Sequence, residues 1–432
     1  METLLINPPE VVRRKTLYLF PLFILCFLSS AFGGSVSTLM SVYLPVVVQD
    51  LRGGQNAEQL SYISGYINSL FIFGWAIGGF SWGLISDRTG RKSALLMAIS
   101  CYGIFTVLTG FMPSWLGLVI CRCLSGFGVG GVLVVSFTLI SEVWPAKSKA
   151  VYTGILSIAF PIGIFSAGLI NYFVSSWREG FLIGSLPLAL ALIGYFIIDE
   201  SDVWTTHRTE KLHSKLIDNS LFSATNRQDL LTGSVIFGTM LIGLWAIFSW
   251  LPTWVQTLVN DDGQKERSLS MMFLGMGGLV GGFFSGWLLK SAGMKRSLII
   301  CFTVCAVVSF ILFKTNDRFS QVVYAEIAVL ALFFGASQGI LSVYIPGLFK
   351  TGIRAAATGF CFNAGRLFTA AAVLFVGLLV NELGGYGNAL FIFSLVFLVG
   401  LICVLALKIS DEVTAHTNSK IPEANIITDN EL

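Results

Sequence analysis

The sequence predicts an all-α membrane protein of twelve transmembrane helices in two pseudo-symmetric six-helix bundles, and three observations carry that expectation. Composition is the first: of 432 residues, 55% are hydrophobic and only 12% charged, where a soluble chain carries about 25% charged residues. The second is the recurrence, twelve times, of apolar runs of about 20 residues, the length a helix needs to cross hydrocarbon that offers no partner for an unpaired backbone N–H or C=O. The third is an internal repeat. "GGFSWGLISDRTGRK" from Gly78 returns as "GGFFSGWLLKSAGMKR" from Gly281, matching Gly78, Gly83 and Gly90 to Gly281, Gly286 and Gly293. "TGILSIAFPIG" from Thr153 likewise returns as "TGFCFNAGRLF" from Thr358.

In order along the chain, the predicted spans of the first half are 17–48, 60–85, 93–112, 115–141, 150–174 and 179–198. The first imitates a secretion signal, with Arg13, Arg14 and Lys15 ahead of an apolar run, but that run is too long and eleven more follow, so it reads as a retained span. The second half supplies 230–259, 269–289, 297–313, 320–346, 356–380 and 387–408. This divides the chain into an N-terminal bundle (1–198), a cytoplasmic linker (199–229), a C-terminal bundle (230–408) and a cytoplasmic tail (409–432). The linker mixes both signs of charge, from Asp199 to Asp229, without a long apolar face, and reads as solvated.

Net charge of +3 decides nothing, but the placement of Lys and Arg does. With the N-terminus inside, residues such as Arg13, Arg14, Arg88, Arg91, Lys92, Lys147, Lys149, Lys295, Arg296, Lys350 and Lys408 fall on the cytoplasmic side. The opposite loops hold only Arg52, Arg178, Lys265, Arg267, Lys314 and Arg318, the asymmetry that the positive-inside rule describes. A multi-pass protein of the cell inner (plasma) membrane, with both termini cytoplasmic, follows.

All eight cysteines lie inside predicted spans, where they serve as small apolar packers and imply no disulfide framework. His207, His213 and His416 sit in the linker and tail, so no intramembrane metal site or histidine catalysis is expected. No nucleophile lies near a base at membrane depth, and no G-x-x-x-x-G-K-[ST] loop occurs, which argues against an enzyme and against an ATP-driven pump. Nothing points to nucleic acid. The expected partners are the bilayer and a small molecule, and the expected state is a monomer.

Between the second and third spans, Gly83, Asp87, Arg88, Gly90, Arg91 and Lys92 fit G-x-x-x-D-R-x-G-R-R/K. With twelve spans, a central linker and a degenerate copy of this loop, the chain resembles the major facilitator superfamily over nearly its whole length. Arg122 with Gly126, Gly128 and Gly130, Glu142 with Pro145, and "WREGF" at the sixth span extend the match. The resemblance implies two bundles that rock about a central site. It implies further that Asp87 sits at the positive N-terminus of the eleventh span, that Arg91 and Lys92 stay at the lipid surface, and that Gly83 lets two helices approach closely. The motif, with Glu142, then acts as a conformational latch. In its copy Lys290 replaces the acid, so that second latch is weaker.

Charged residues inside spans cost at least ~2.5 kcal/mol and are functional candidates by default. Arg366 lies about ten residues into the eleventh span, near the midplane at 1.5 Å per residue. Its fork suits an anionic ligand or an internal carboxylate, so it is read as a ligand anchor or, alternatively, as a structural bracket. Asn363, three residues earlier, shares its face. Gln338, Trp250 and Asn68 complete the predicted substrate site, with Trp245, Trp254 and Gln256 as further polar or aromatic candidates. This segment resembles metabolite and proton symporters for organic acids. Arg122 and Glu326 occupy nearly equivalent places in the fourth and tenth spans, so they are expected to face each other and couple transport to protons. Many proton-coupled members also carry an acid in the first span, and this chain has none there. The predicted function is secondary transport of a small organic anion, taken up on the proton gradient without a cofactor. Export of drugs or metabolites, sugar uptake and a non-transporting nutrient receptor are the alternatives.

Overall fold

The computed structural model describes residues 8–52, 56–145, 148–201, 204–205, 222–259, 262–349 and 353–406, with the backbone alone over 8–18. The side chains of Arg13, Arg14 and Lys15, together with Lys147, His207, His213, Lys350, Lys408, His416, most of the linker and the tail, lie outside that description. Among the described residues, helix is the only regular structure. Twelve helices are long and apolar enough to cross a membrane. In the first half they are Leu19–Arg52, Glu58–Thr89, Arg91–Phe111, Trp115–Val143, Val151–Phe173 and Trp177–Ile197. In the second they are Asn226–Leu258, Gln264–Ala292, Met294–Thr315, Val322–Gly347, Ala356–Leu379 and Tyr386–Ala406. They are called the first to twelfth spans below.

Large apolar side chains such as Phe173, Phe196, Trp287, Phe368 and Ile402 are exposed around the outside, where lipid replaces a protein partner. Inside each half, helices have no hydrophobic drive to associate in lipid and instead bring small residues against backbone. A Cβ on Gly74 or Gly78 of the second span would overlap the carbonyls of Cys123 and Phe127 on the fourth. In the second half Gly277 and Gly281 of the eighth span meet the carbonyls of Ala328 and Leu332 on the tenth in the same way. Gly130 against the Trp75 carbonyl is repeated by Gly335 against the Gly278 carbonyl. The sequence repeat is thus a repeat of packing. Its turns agree as well: Gly90 (φ 103) and Gly293 (φ 78) join consecutive spans in a left-handed conformation that favours glycine, and their N–H groups donate to the Ser86 and Leu289 carbonyls.

These contacts also fix the register of the repeat. The second and eighth spans match at an offset of 203, the fourth and tenth at 205. Several span ends lie a few residues from expectation, and one span is interrupted. The eighth begins at Gln264, not 269, because the polar run before it is already helical. The sixth is built from Trp177–Gly180, a tight 3₁₀ turn Phe181–Gly184, and Ser185–Ile197.

The halves meet along the second and eleventh spans, the fifth and eighth, and the first and seventh, while the fourth and tenth pack within their own halves. At the end bearing Arg267 this seam is tight. Gly65 and Gly377 bring the second and eleventh spans into backbone contact, and the Ser268 hydroxyl donates to Asn171 Oδ1 at 2.7 Å between the eighth and fifth. At the end bearing Asp87 the packing is looser: a Cβ on Gly83, Gly154, Gly282, Gly286 or Gly359 would meet no atom within 4 Å, while Phe80 and Phe360 keep a ring contact across the seam.

Candidate functional site

The second span carries the centre of the molecule. Phe71 and Trp75 lie one helical turn apart with ring centroids 6.1 Å from each other, and each lies against a guanidinium, that of a buried Arg122 and that of a half-buried Arg366. Arg122 of the fourth span places Cζ 3.9 Å from the Phe71 centroid and donates from Nη1 to the Val36 carbonyl at 3.0 Å. Arg366 of the eleventh places Cζ 5.0 Å from the Trp75 centroid and donates from Nη1 to Asn363 Oδ1 at 3.1 Å. Both keep a buried Nε with no partner among the described residues. No carboxylate there pairs with either; Arg91 pairs instead with Asp87 and Glu142, and Arg178 with Asp50.

Flat apolar walls surround the second of these cations. Trp245 stands edge-on to Trp75 at 5.1 Å and Phe160 lies 5.5 Å from it. Phe248 and Phe334 continue the cluster into the seventh and tenth spans. A cation held by one neutral amide, with a free N–H beside aromatic faces, can accept a carboxylate on its fork while the body of the ligand lies against the rings.

The other predicted site residues are dispersed. Asn363 is buried under Gly79 of the second span and bonded to Arg366. Asn68 donates to the Ser249 carbonyl at 3.1 Å and, with Ser69 donating to the Ala370 carbonyl at 2.7 Å, ties the halves together. Trp250 is wholly buried, its indole N–H on the Val373 carbonyl at 3.2 Å and its ring against Tyr386, so it offers no surface to a ligand here. Gln338 keeps a buried, unpartnered Nε2 on the tenth span.

Arg122 and Glu326 do not face each other. The 205-residue offset makes Ile327, not Glu326, the counterpart of Arg122, and one residue turns a helix by about 100°. Glu326 accepts instead from Asn316 at 2.7 Å, near the Arg267 end of the ninth and tenth spans.

The latch is also arranged differently from expectation. Asp87 pairs with Arg91 at 2.8 Å, not with the eleventh span, and Arg91 reaches Glu142 at 2.9 Å. The third span's N-terminus is capped by Glu200, whose carboxylate accepts from the backbone of Arg91 at 2.7 Å and of Lys92 at 3.0 Å. Ser201 donates to Glu142, and the Trp204 indole to the Asp87 carbonyl. The start of the linker is therefore docked on the motif, where mixed charge had suggested solvation. Lys92 lies over Tyr195, and Arg88 is exposed. Gly83 makes no close approach. These bonds all stay in the first half.

Closure lies at the other end. Arg267, expected in an open loop, is buried in the first turn of the eighth span. It donates to the Val42 carbonyl of the first span at 3.1 Å, to Gln256 Oε1 of the seventh and to the Asp262 carbonyl. Gln264 adds a bond to the Asn171 carbonyl at 2.6 Å. These bonds close the seam between the halves at the Arg267 end.

The family model described as Major Facilitator Superfamily matches residues 22–360. The chain belongs to the Major Facilitator Superfamily. Among similar superfamily members is the niacin transporter of Acinetobacter baylyi (strain ATCC 33305 / BD413 / ADP1), 25% identical over 371 residues, covering 78% of this chain and 82% of that protein. The sialic acid transporter of Escherichia coli (strain K12) is 26% identical over 419 residues, covering 94% and 96%. The crystal structure of a D-xylose-proton symporter superposes with a TM-score of 0.76 at 16% identity, covering 92% and 99%, which establishes the common fold. As a superfamily member the chain is a transporter and not an enzyme.

Sequence reasoning missed four residues of this superfamily fold. Trp75 and Phe160 lay in apolar runs where aromatic residues ordinarily pack. Their signal was helical spacing, Trp75 four residues after Phe71 and seven after Asn68. Arg267 was hidden by a misplaced span end. Glu200 sits three residues past the end of the sixth span, on a segment whose docking depends on the fold around it.

Proposed function

We propose that this superfamily member carries a small organic anion, a carboxylate, into the cell across the inner (plasma) membrane by alternating access. The Asp87 end and both termini are assigned to the cytoplasm, which the lysine and arginine bias supports. One observation carries the reading: Arg366, half-buried between the halves beside Trp75 with its Nε enclosed, has a neutral amide and an aromatic ring for partners and no carboxylate among the described residues. Burying a charge without a counter-ion is costly, and an anionic ligand supplies the missing one. Relatives named for niacin and sialic acid support the acid class. Proton coupling through Arg122 and Glu326 is not part of this reading, since the two side chains do not meet.

Uptake of radiolabelled nicotinate by the full-length protein in proteoliposomes, with unlabelled competitors, tests it. Carboxylates are expected to compete, D-xylose and ethidium to have no effect, and Arg366→Gln to abolish the signal. Competition by xylose or ethidium with none by carboxylates overturns it.

A further inference from the structure

The guanidiniums of Arg122 and Arg366 differ in what happens to them when the halves move. Arg122 is held by the first and second spans, which belong to its own half, so its partners travel with it. Arg366 has one partner on its own helix, the Asn363 amide, and one on the opposite half, Trp75. Its Nε is buried and unpartnered. No acid takes over when the site is empty. Among the described residues none pairs with Arg366, and Glu326, in the first two turns of the tenth span, is bound to Asn316 near the Arg267 end. A guanidinium also cannot shed its charge by losing a proton at ordinary pH.

We infer that this carrier is an anion exchanger, because its empty site holds an uncompensated Arg366 that must be occluded each time the unloaded halves change sides. Every cycle passes through a state in which the centre is closed from both aqueous faces. The loaded protein enters that state with a guanidinium–carboxylate pair, and the empty protein enters it with a bare cation. The penalty falls only on the empty return step, so the site turns over fastest when one carboxylate is released and another is bound before the halves rock back. Charge balances: one anion enters for each equivalent anion that leaves. The inference rests on the proposed anion function and adds to it the mode of transport.

The full-length protein is placed in proteoliposomes, and entry of radiolabelled nicotinate, benzoate, N-acetylneuraminate and citrate is measured into vesicles preloaded with the same unlabelled anion or holding only chloride. Entry into preloaded vesicles is expected to be at least about tenfold faster, the factor that ~1.4 kcal/mol of extra barrier on the empty return gives. Asn363→Asp supplies the missing carboxylate in place, 3.1 Å from Arg366 Nη1. It should narrow the difference by speeding entry into chloride vesicles while weakening anion binding. Equal rates in the two formats for the wild type overturn exchange and leave the anion reading standing, as does an inward proton gradient that raises net entry to the exchange rate. A folded Asn363→Asp protein with an unchanged ratio removes Arg366 as the cause. If none of the four anions enters in either format, the proposed function itself fails and the inference with it.

Discussion

Arg122 and Arg366 look alike in most respects. Each lies against an aromatic ring of the second span, Arg122 buried and Arg366 half-buried, each has one neutral oxygen partner, and each has a buried, unpartnered Nε. They differ in which half of the protein holds those partners. Arg122 bonds a backbone carbonyl within its own half and reads as a bracket that locks the first, second and fourth spans together. Arg366 is held across the seam, by Asn363 on its own helix and Trp75 on the opposite half. Burial of charge by itself therefore does not mark the ligand site; burial with partners that part during the cycle does.

The sharpest way to break this comparison is to neutralise each arginine in turn. Arg366→Gln should weaken carboxylate binding by at least about 100-fold, the scale of losing a charged partner from a buried pair. Arg122→Gln should leave affinity within a few-fold and instead lower the melting temperature by several degrees, because a bracket was removed. Titration calorimetry and thermal unfolding read the two effects separately. If both variants lost affinity equally, the distinction between bracket and anchor would be gone.

Next in size is the pair of rings beneath them. Trp75→Ala should weaken an aromatic carboxylate about tenfold by removing its stacking surface and the face under Arg366, whereas Phe71→Ala should act mainly on stability. A smaller effect is expected at Arg267. Arg267→Gln removes bonds that close the far end, so a spin-label pair on the first and eighth spans should show a larger share of molecules opened there; an unchanged distance distribution would remove Arg267 from the closure. At the Asp87 end, Glu200→Gln should cost about 1 kcal/mol of stability through the third-span cap, with affinity unaltered. Smallest of all, Glu326→Gln should change transport by no more than about twofold, as a site away from the pathway would. A collapse of transport in that variant would restore the coupling role that its geometry denies.

Much of this architecture was legible in the residues. Apolar runs gave twelve spans because lipid imposes their length, and of the glycines matched across the halves Gly78 and Gly281 mark the same carbonyl contact and Gly90 and Gly293 the same turn, while Gly83 and Gly286 approach nothing. The Asn363–Arg366 bond followed from three-residue spacing on a helix. Three features were not legible, each for a physical reason. Glu326 was paired with Arg122 because the repeat offset is 203 in one pair of spans and 205 in another, a change that only packing fixes. Arg267 was assigned to a loop because a polar helix end and a polar loop look the same in hydropathy. The latch partner of Asp87 depends on which end of the seam is shut, and the sequence is common to every conformation.

The central claim is that Arg366 waits for a negative charge, and one ligand pair tests it with the ring held constant. Binding of nicotinate and of nicotinamide to the purified full-length protein is measured by calorimetry, for wild type and Arg366→Gln. The account predicts that nicotinate binds the wild type, that nicotinamide binds at least about tenfold more weakly for want of a charge-assisted pair, and that the difference vanishes in Arg366→Gln. Equal affinity for the acid and its amide in the wild type, or a preference for the acid that survives the substitution, would contradict it.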